Sequence, residues 1–130
     1  MAVELPHDDP LAFQDSVDEL GRLARTLGLE VTSTIVQKRE SFHPGTYVGA
    51  GKLDELRAAV AAGDAAYVLV DHEISPSQAR NLEKATEAEV LDRTAVILEI
   101  FHRHARSRAA KAPVEIVRLQ YMAPRLREKG

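Results

Sequence analysis

The 130-residue, 14.3 kDa chain is 45% hydrophobic and 28% charged, proportions that leave room for one domain and exclude wholesale disorder. It has no cysteine and no apolar run longer than the six residues from Ala65 to Val70, and residues 1–10 are acidic. Disulfides and thiolate metal sites are thereby excluded; neither a spanning helix nor a signal peptide is expected, and the expected location is the cytoplasm, away from membranes. The net charge of −3 divides unevenly: residues 101–130 carry eight basic and two acidic side chains, residues 1–100 nine basic and eighteen acidic. An anionic partner such as RNA is therefore expected at the carboxyl end, a solvated helix face being the plainer reading.

Residues 1–14, with three acids, two prolines and no periodicity, read as a flexible lead-in. Ser16-Val17-Asp18-Glu19 has the form of a capping box, and Val17, Leu20, Ala24 and Leu27 follow at helical spacing up to Gly28, which suits a left-handed helix end. Leu29 to Gln37 is rich in β-branched residues and places Leu29, Val31 and Ile35 on one face, so a strand is expected. Lys38 to Lys52 contains His43-Pro44-Gly45 and Gly49-Ala50-Gly51 and reads as a long irregular loop. Leu53, Leu56 and Val60 mark a short helix that Gly63 closes.

Ala66 to Val70 reads as a strand buried on both faces, with Asp71 at its carboxyl end. Ser75-Pro76-Ser77-Gln78 supplies an N-cap, a proline at the first helical position and a capping-box glutamine, opening a helix to about Glu87. Val90 and Leu91 form a third strand. Asp92 or Thr94 caps a helix through Ile97, Ile100 and Phe101, and Pro113 opens a final helix, apolar on both sides, that Pro124 kinks or ends. This order predicts an α/β fold, a small parallel sheet of three to four strands with flanking helices and a carboxyl-terminal helical extension. Its divisions are the lead-in 1–14, an α/β domain 15–111 and the start of the extension 112–130. Ligands of such sheets gather at the carboxyl ends of the strands, here lined by the 38–52 loop, Asp71-His72-Glu73 and Asp92-Arg93.

Gly49-Ala50-Gly51-Lys52 at a helix start offers amides, a helix dipole and an ammonium to a phosphate. One alanine separates the glycines and Leu53 follows the lysine, so the Walker A spacing is absent, and turn glycines ahead of an amphipathic helix are the plainer reading. Asp71, Glu73 and Asp92 suit acid–base or Mg²⁺ roles, or equally serve as helix caps and partners of Arg80 and Arg93. His72 and His43 lie in the same cleft, whereas His102 and His104 diverge on a helix. No metal triad appears, so neither a metal site nor a cofactor is expected. Gly-x-Ser-x-Gly and Gly-x-Gly-x-x-Gly are also absent.

Three segments carry a family signature: Thr46-Tyr47-Val48-Gly49-Ala50-Gly51-Lys52, Asp71-His72-Glu73-Ile74-Ser75-Pro76-Ser77-Gln78-Ala79-Arg80-Asn81-Leu82-Glu83 and Asp92-Arg93-Thr94. With Ile97-Leu98-Glu99-Ile100-Phe101, Arg103-His104-Ala105-Arg106 and Leu119-Gln120-Tyr121-Met122-Ala123-Pro124-Arg125-Leu126, they resemble the amino-terminal domain of the HflX family of ribosome-associated GTPases, over about residues 20–126. The resemblance implies an α/β domain followed by a helical hairpin, whose glycine-rich tip reaches toward the peptidyl-transferase region of the large ribosomal subunit, and then a GTPase domain. This chain carries no GTPase motif, and Ser107 to Leu119 departs from the family pattern.

Resemblance and charge together imply a non-catalytic binding module that contacts large-subunit RNA or a nucleotide, with no GTPase activity of its own. The residues for that contact are Tyr47, Gly49, Gly51, Lys52, Arg80, Asn81, Arg93, Arg103, Arg106 and Arg108. The alternative is a free-standing relative that binds a small molecule, or works as a small biosynthetic enzyme, in the strand-end cleft, with Asp71, Glu73, His72 or His43 as acid–base groups. A third reading is a homodimer in which the carboxyl-terminal helices of two chains cover each other.

Overall fold

The computed structural model describes residues 1–104. Strands and helices alternate: β1 (Ala2–Glu4), α1 (Pro10–Thr26), β2 (Val36–Lys38), α2 (Ala50–Gly63), β3 (Tyr67–Val70), α3 (Pro76–Thr86), β4 (Glu89–Asp92) and α4 (Arg93–His104). The class is the expected α/β, and every strand pair is parallel. The helix expected from Pro113, Arg106 and Arg108 lie outside the described residues.

Where one sheet of three to four strands is expected, the ladders form two two-stranded sheets, β1–β2 and β3–β4. Met1 joins them. Its nitrogen donates to Leu69 O at 2.7 Å and its carbonyl accepts from the Asp71 amide at 3.0 Å. These bonds set β1 beside β3 and order the strands β2-β1-β3-β4, so the direction of winding reverses between β1 and β3.

Alternation along the strands divides the core. Val3, Val68, Val70 and Val90 join Leu56 of α2 and Ala79 and Leu82 of α3 in one cluster, and α2 packs against α3. On the other face Ala2 is buried with Leu20 and Ala24 of α1 and Val96 of α4, where α1 packs against α4. Helices on both faces require the strands to be buried on both sides. Tyr67 departs from that expectation and stands partly in solvent at the start of β3.

Local chemistry explains most element ends. At α1 the Gly28 amide bonds Arg25 O and the Leu29 amide bonds Ala24 O, a Schellman closure in which Gly28 takes φ +79°. The expected capping box of α3 is present: Ser75 Oγ accepts from the Gln78 amide and Gln78 Oε1 from the Ser75 amide. Asp92 caps α4 by accepting the Ala95 amide at 3.0 Å.

Four local expectations are corrected. Residues 1–14 hold β1 and the start of α1, because the backbone of β1 finds partners on both sides. Ser16 is no helix cap: α1 opens at Pro10, whose fixed φ suits a first helical residue, and the Ser16 hydroxyl turns to Asp71. The Leu29–Gln37 strand shrinks to Val36–Lys38, since β1 reaches its neighbour only from Ala2↔Val36 onward. The helix expected from Leu53 begins earlier, at Ala50; it ends at Gly63 as expected, and Asp64, with φ +47°, takes the left-handed turn after it.

Candidate functional site

In doubly wound sheets the ligand crevice lies outside the carboxyl ends of the strands where the winding reverses. Here that point falls between the ends of β1 and β3, next to Asp71 and His72. The β2–α2 loop closes it. His43 and Tyr47 exchange backbone bonds of 3.1 and 2.9 Å around Pro44-Gly45-Thr46, and His43 Nδ1 accepts the Gly45 and Thr46 amides. From α3, Gln78 Nε2 donates to His43 O and Asn81 Nδ2 to Gly45 O, both at 2.9 Å. Gln78 of the α3 capping box therefore also holds the loop, together with Asn81.

Tyr47 is the centre of the rim. It is fully buried and has φ +67°. The Val48 amide bonds Thr46 O at 2.7 Å, making Tyr47 the middle of a γ-turn that L side chains seldom adopt. Its hydroxyl accepts the Val3 amide at 2.9 Å and shares a hydrogen bond of 2.5 Å with His72 Nδ1. Phe42 completes a three-ring cluster, 5.0 Å from Tyr47 and 4.6 Å from His72 between centroids. Side chains of the protein itself thus line the crevice, with Tyr47 fully buried among them. Burial pushes the Tyr47 phenol above its usual range, which keeps it a donor.

Asp71 and Asp92 have their oxygens engaged. Asp71 Oδ2 accepts from Ser16 Oγ at 2.8 Å and Oδ1 from Arg93 Nη1 at 2.9 Å, and Arg93 also pairs with Glu19. Asp92 accepts from the amides of Ile74 and Ala95. Glu73 is exposed. Among the described residues no three His, Asp or Glu side chains converge as a metal set, and no helix is long and apolar enough to cross a membrane.

The anion candidates divide by position. Tyr47, His72, Asp71 and Arg93 meet at the rim, and His43 and Asn81 adjoin them. At the start of α2 the Gly49 amide donates to Gln37 Oε1, Gly51 faces open space and Lys52 pairs with Glu55 at 2.9 Å. A Cβ on Gly49 would stand 2.7 Å from the end of the Arg39 side chain, which would have to turn aside to admit it. Arg80 is half-buried on α3. Arg103 donates to Leu27 O, which closes α1 at the opposite edge of the sheet. Ser16, Glu19, Phe42 and Gln78 complete the rim; of these, sequence reading placed only Phe42 there, as part of the 38–52 loop and with no role of its own. The signals were a hydroxyl midway along an amphipathic helix and an aromatic ring beside His-Pro-Gly.

Burial pushes the His72 imidazole below its ordinary value, with Asp71 pulling the other way. Because the folded pKa is lowered, the unfolded chain takes up this proton first. The contribution to stability is complete above about pH 6.5 and is lost as pH falls through the folded value. Urea midpoints are expected to drop between pH 7 and pH 5, and a His72→Asn variant to flatten that part of the profile. A ring titration of His72 by NMR at or above the value of a histidine peptide would contradict this.

The fold and rim define a class of α/β domain that accompanies a GTP-binding domain: residues 14–102 match the family described as GTP-binding GTPase N-terminal. GTPase HflX of Gluconacetobacter diazotrophicus is 44% identical over 167 aligned residues, covering 100% of this chain and 37% of its own length. GTPase HflX of Escherichia coli is 41% identical over 112 residues, 86% of this chain and 26% of its own. A crystal structure of an SsGBP variant superposes with a TM-score of 0.76 at 25% identity, over 98% of this chain and 40% of that one. A GTP-binding protein from Sulfolobus solfataricus, solved in complex with GDP, shares the fold with a TM-score of 0.70, over 98% of this chain and 38% of that one. The chain belongs to the HflX GTPase family and matches its amino-terminal domain. It spans 37% and 26% of the length of the two curated relatives.

Proposed function

We propose that this domain is a non-catalytic recognition module of an HflX-type GTPase, with no GTPase activity of its own, that contacts RNA of the large ribosomal subunit. The observation that carries the choice of a binding module over an enzyme is the engagement of the rim's polar groups: Tyr47 is bonded to Val3 and His72, and Asp71 and Asp92 are held in structural bonds. The choice of RNA rests on charge. The basic excess lies in residues 101–130, against an acidic remainder, and phosphate contacts are the dominant source of affinity for nucleic acid.

Co-sedimentation of the 130-residue chain with large subunits tests this. Binding is expected to weaken steeply with salt, and an Arg106→Glu, Arg108→Glu variant to bind less tightly with a log–log salt slope smaller by about 2. A salt-independent association would overturn the reading. So would the absence of association together with a nucleotide that raises the melting temperature, which would favour the small-molecule alternative.

A further inference from the structure

Helix α4 is apolar on more sides than its neighbours cover. From Ala95 to Phe101 every residue but Glu99 is apolar. Ala95 and Val96 are buried, on the side where α4 packs against α1, β3 and β4. Further along that side Arg103 donates to Leu27 O at the end of α1 and pairs with Glu99. Ile97, Leu98 and Phe101, spaced i, i+1 and i+4, turn the other way. Ile97 and Leu98 are half-buried, and Phe101 is 56% exposed. A helix that is apolar on both sides needs cover on both sides, and the elements that pack against α4 leave Phe101 in solvent.

A matching segment follows in the same chain, outside the described residues. Eight residues, 105–112, separate the end of α4 at His104 from Pro113, and helices packed as antiparallel neighbours are joined by ~2–8 residues. In the 113–123 stretch Val117 and Tyr121 stand four apart, as Ile97 and Phe101 do, and helical spacing sets Glu115 and Arg118 off that line. We propose that residues 113–123 fold back as a helix antiparallel to α4 and cover its outer side, with Val117 against Phe101 and Tyr121 against Ile97. The tether holds this segment at an effective concentration of order ~mM, which favours it over a second copy of the chain. No acidic residue occurs from 101 to 114, so the bend gathers Arg103, Arg106, Arg108 and Lys111 into one cationic patch at the edge of the sheet opposite the rim. The fold-back itself is independent of the RNA reading.

The chain has no cysteine and no tryptophan, so introduced ones report alone. Two double variants of the 130-residue protein are compared, Phe101→Cys with Val117→Cys and Phe101→Cys with Glu115→Cys, each treated with a short bismaleimide at low and high protein concentration. The first pair is expected to cross-link within one chain, at a rate independent of concentration and about tenfold or more above that of the second, whose tether is nearly the same length. A Phe101→Trp variant gives a readout free of any cross-link: its emission should lie to the blue and move to the red when Val117→Asp and Tyr121→Asp are added. Equal rates for the two pairs, cross-links between chains that grow with concentration, or an emission indifferent to the aspartates would each overturn the proposal.

Discussion

Replacing Tyr47 with alanine is expected to destabilise the domain by about 4 kcal/mol, an effect of core size from a residue in a loop. The ring is fully buried and packs against Phe42 and His72. Its hydroxyl is the partner of the Val3 amide, and a buried amide left without one costs ~1–3 kcal/mol. Alanine also inherits the positive φ without the packing that sustains it. Tyr47→Phe separates the parts. It keeps the ring but removes both hydroxyl bonds, and should cost about 2 kcal/mol. Urea denaturation of the two variants measures the difference, and a Phe variant as stable as the parent would show that the hydroxyl bonds contribute nothing.

Asp71→Ala is the second large effect, at about 3 kcal/mol. The carboxylate side chain is 2% exposed and accepts from both Ser16 and Arg93. Breaking a buried ion pair costs ~3–5 kcal/mol, and the low end applies because the Arg93 side chain is 25% exposed and keeps Glu19. The melting temperature should fall by about 10–20 °C. Arg93→Ala should act in the same direction, and the double variant should lose less than the sum of the two. Strict additivity would mean that the pair is not coupled.

Legibility followed the range of the interactions. The start of α3 was readable because Ser75, Pro76 and Gln78 act within one turn of one another. β3 and β4 were readable as short apolar runs, and the parallel arrangement followed from the helices between them. β1 was hidden: Ala2-Val3-Glu4 is followed by Pro6 and two aspartates, and its stability comes from partners more than thirty residues away. The Ser16–Glu19 pattern misled because a local cap competed with a bond to Asp71, 55 positions on. At the rim, sequence reading reached Asp71, His72 and Tyr47, but the arrangement that buries Tyr47 joins Val3, residue 47 and His72, and no local pattern encodes it.

The placement of β1 between β2 and β3 also bears on how the chain folds. The bond from Met1 to Leu69 spans 68 positions and that from Val3 to Tyr47 spans 44, so loop closure must precede the contacts that reward it. During synthesis β1 emerges long before its second neighbour and keeps an open hydrogen-bonding edge until β3 has appeared. That interval is when aggregation or capture by a chaperone competes with native pairing.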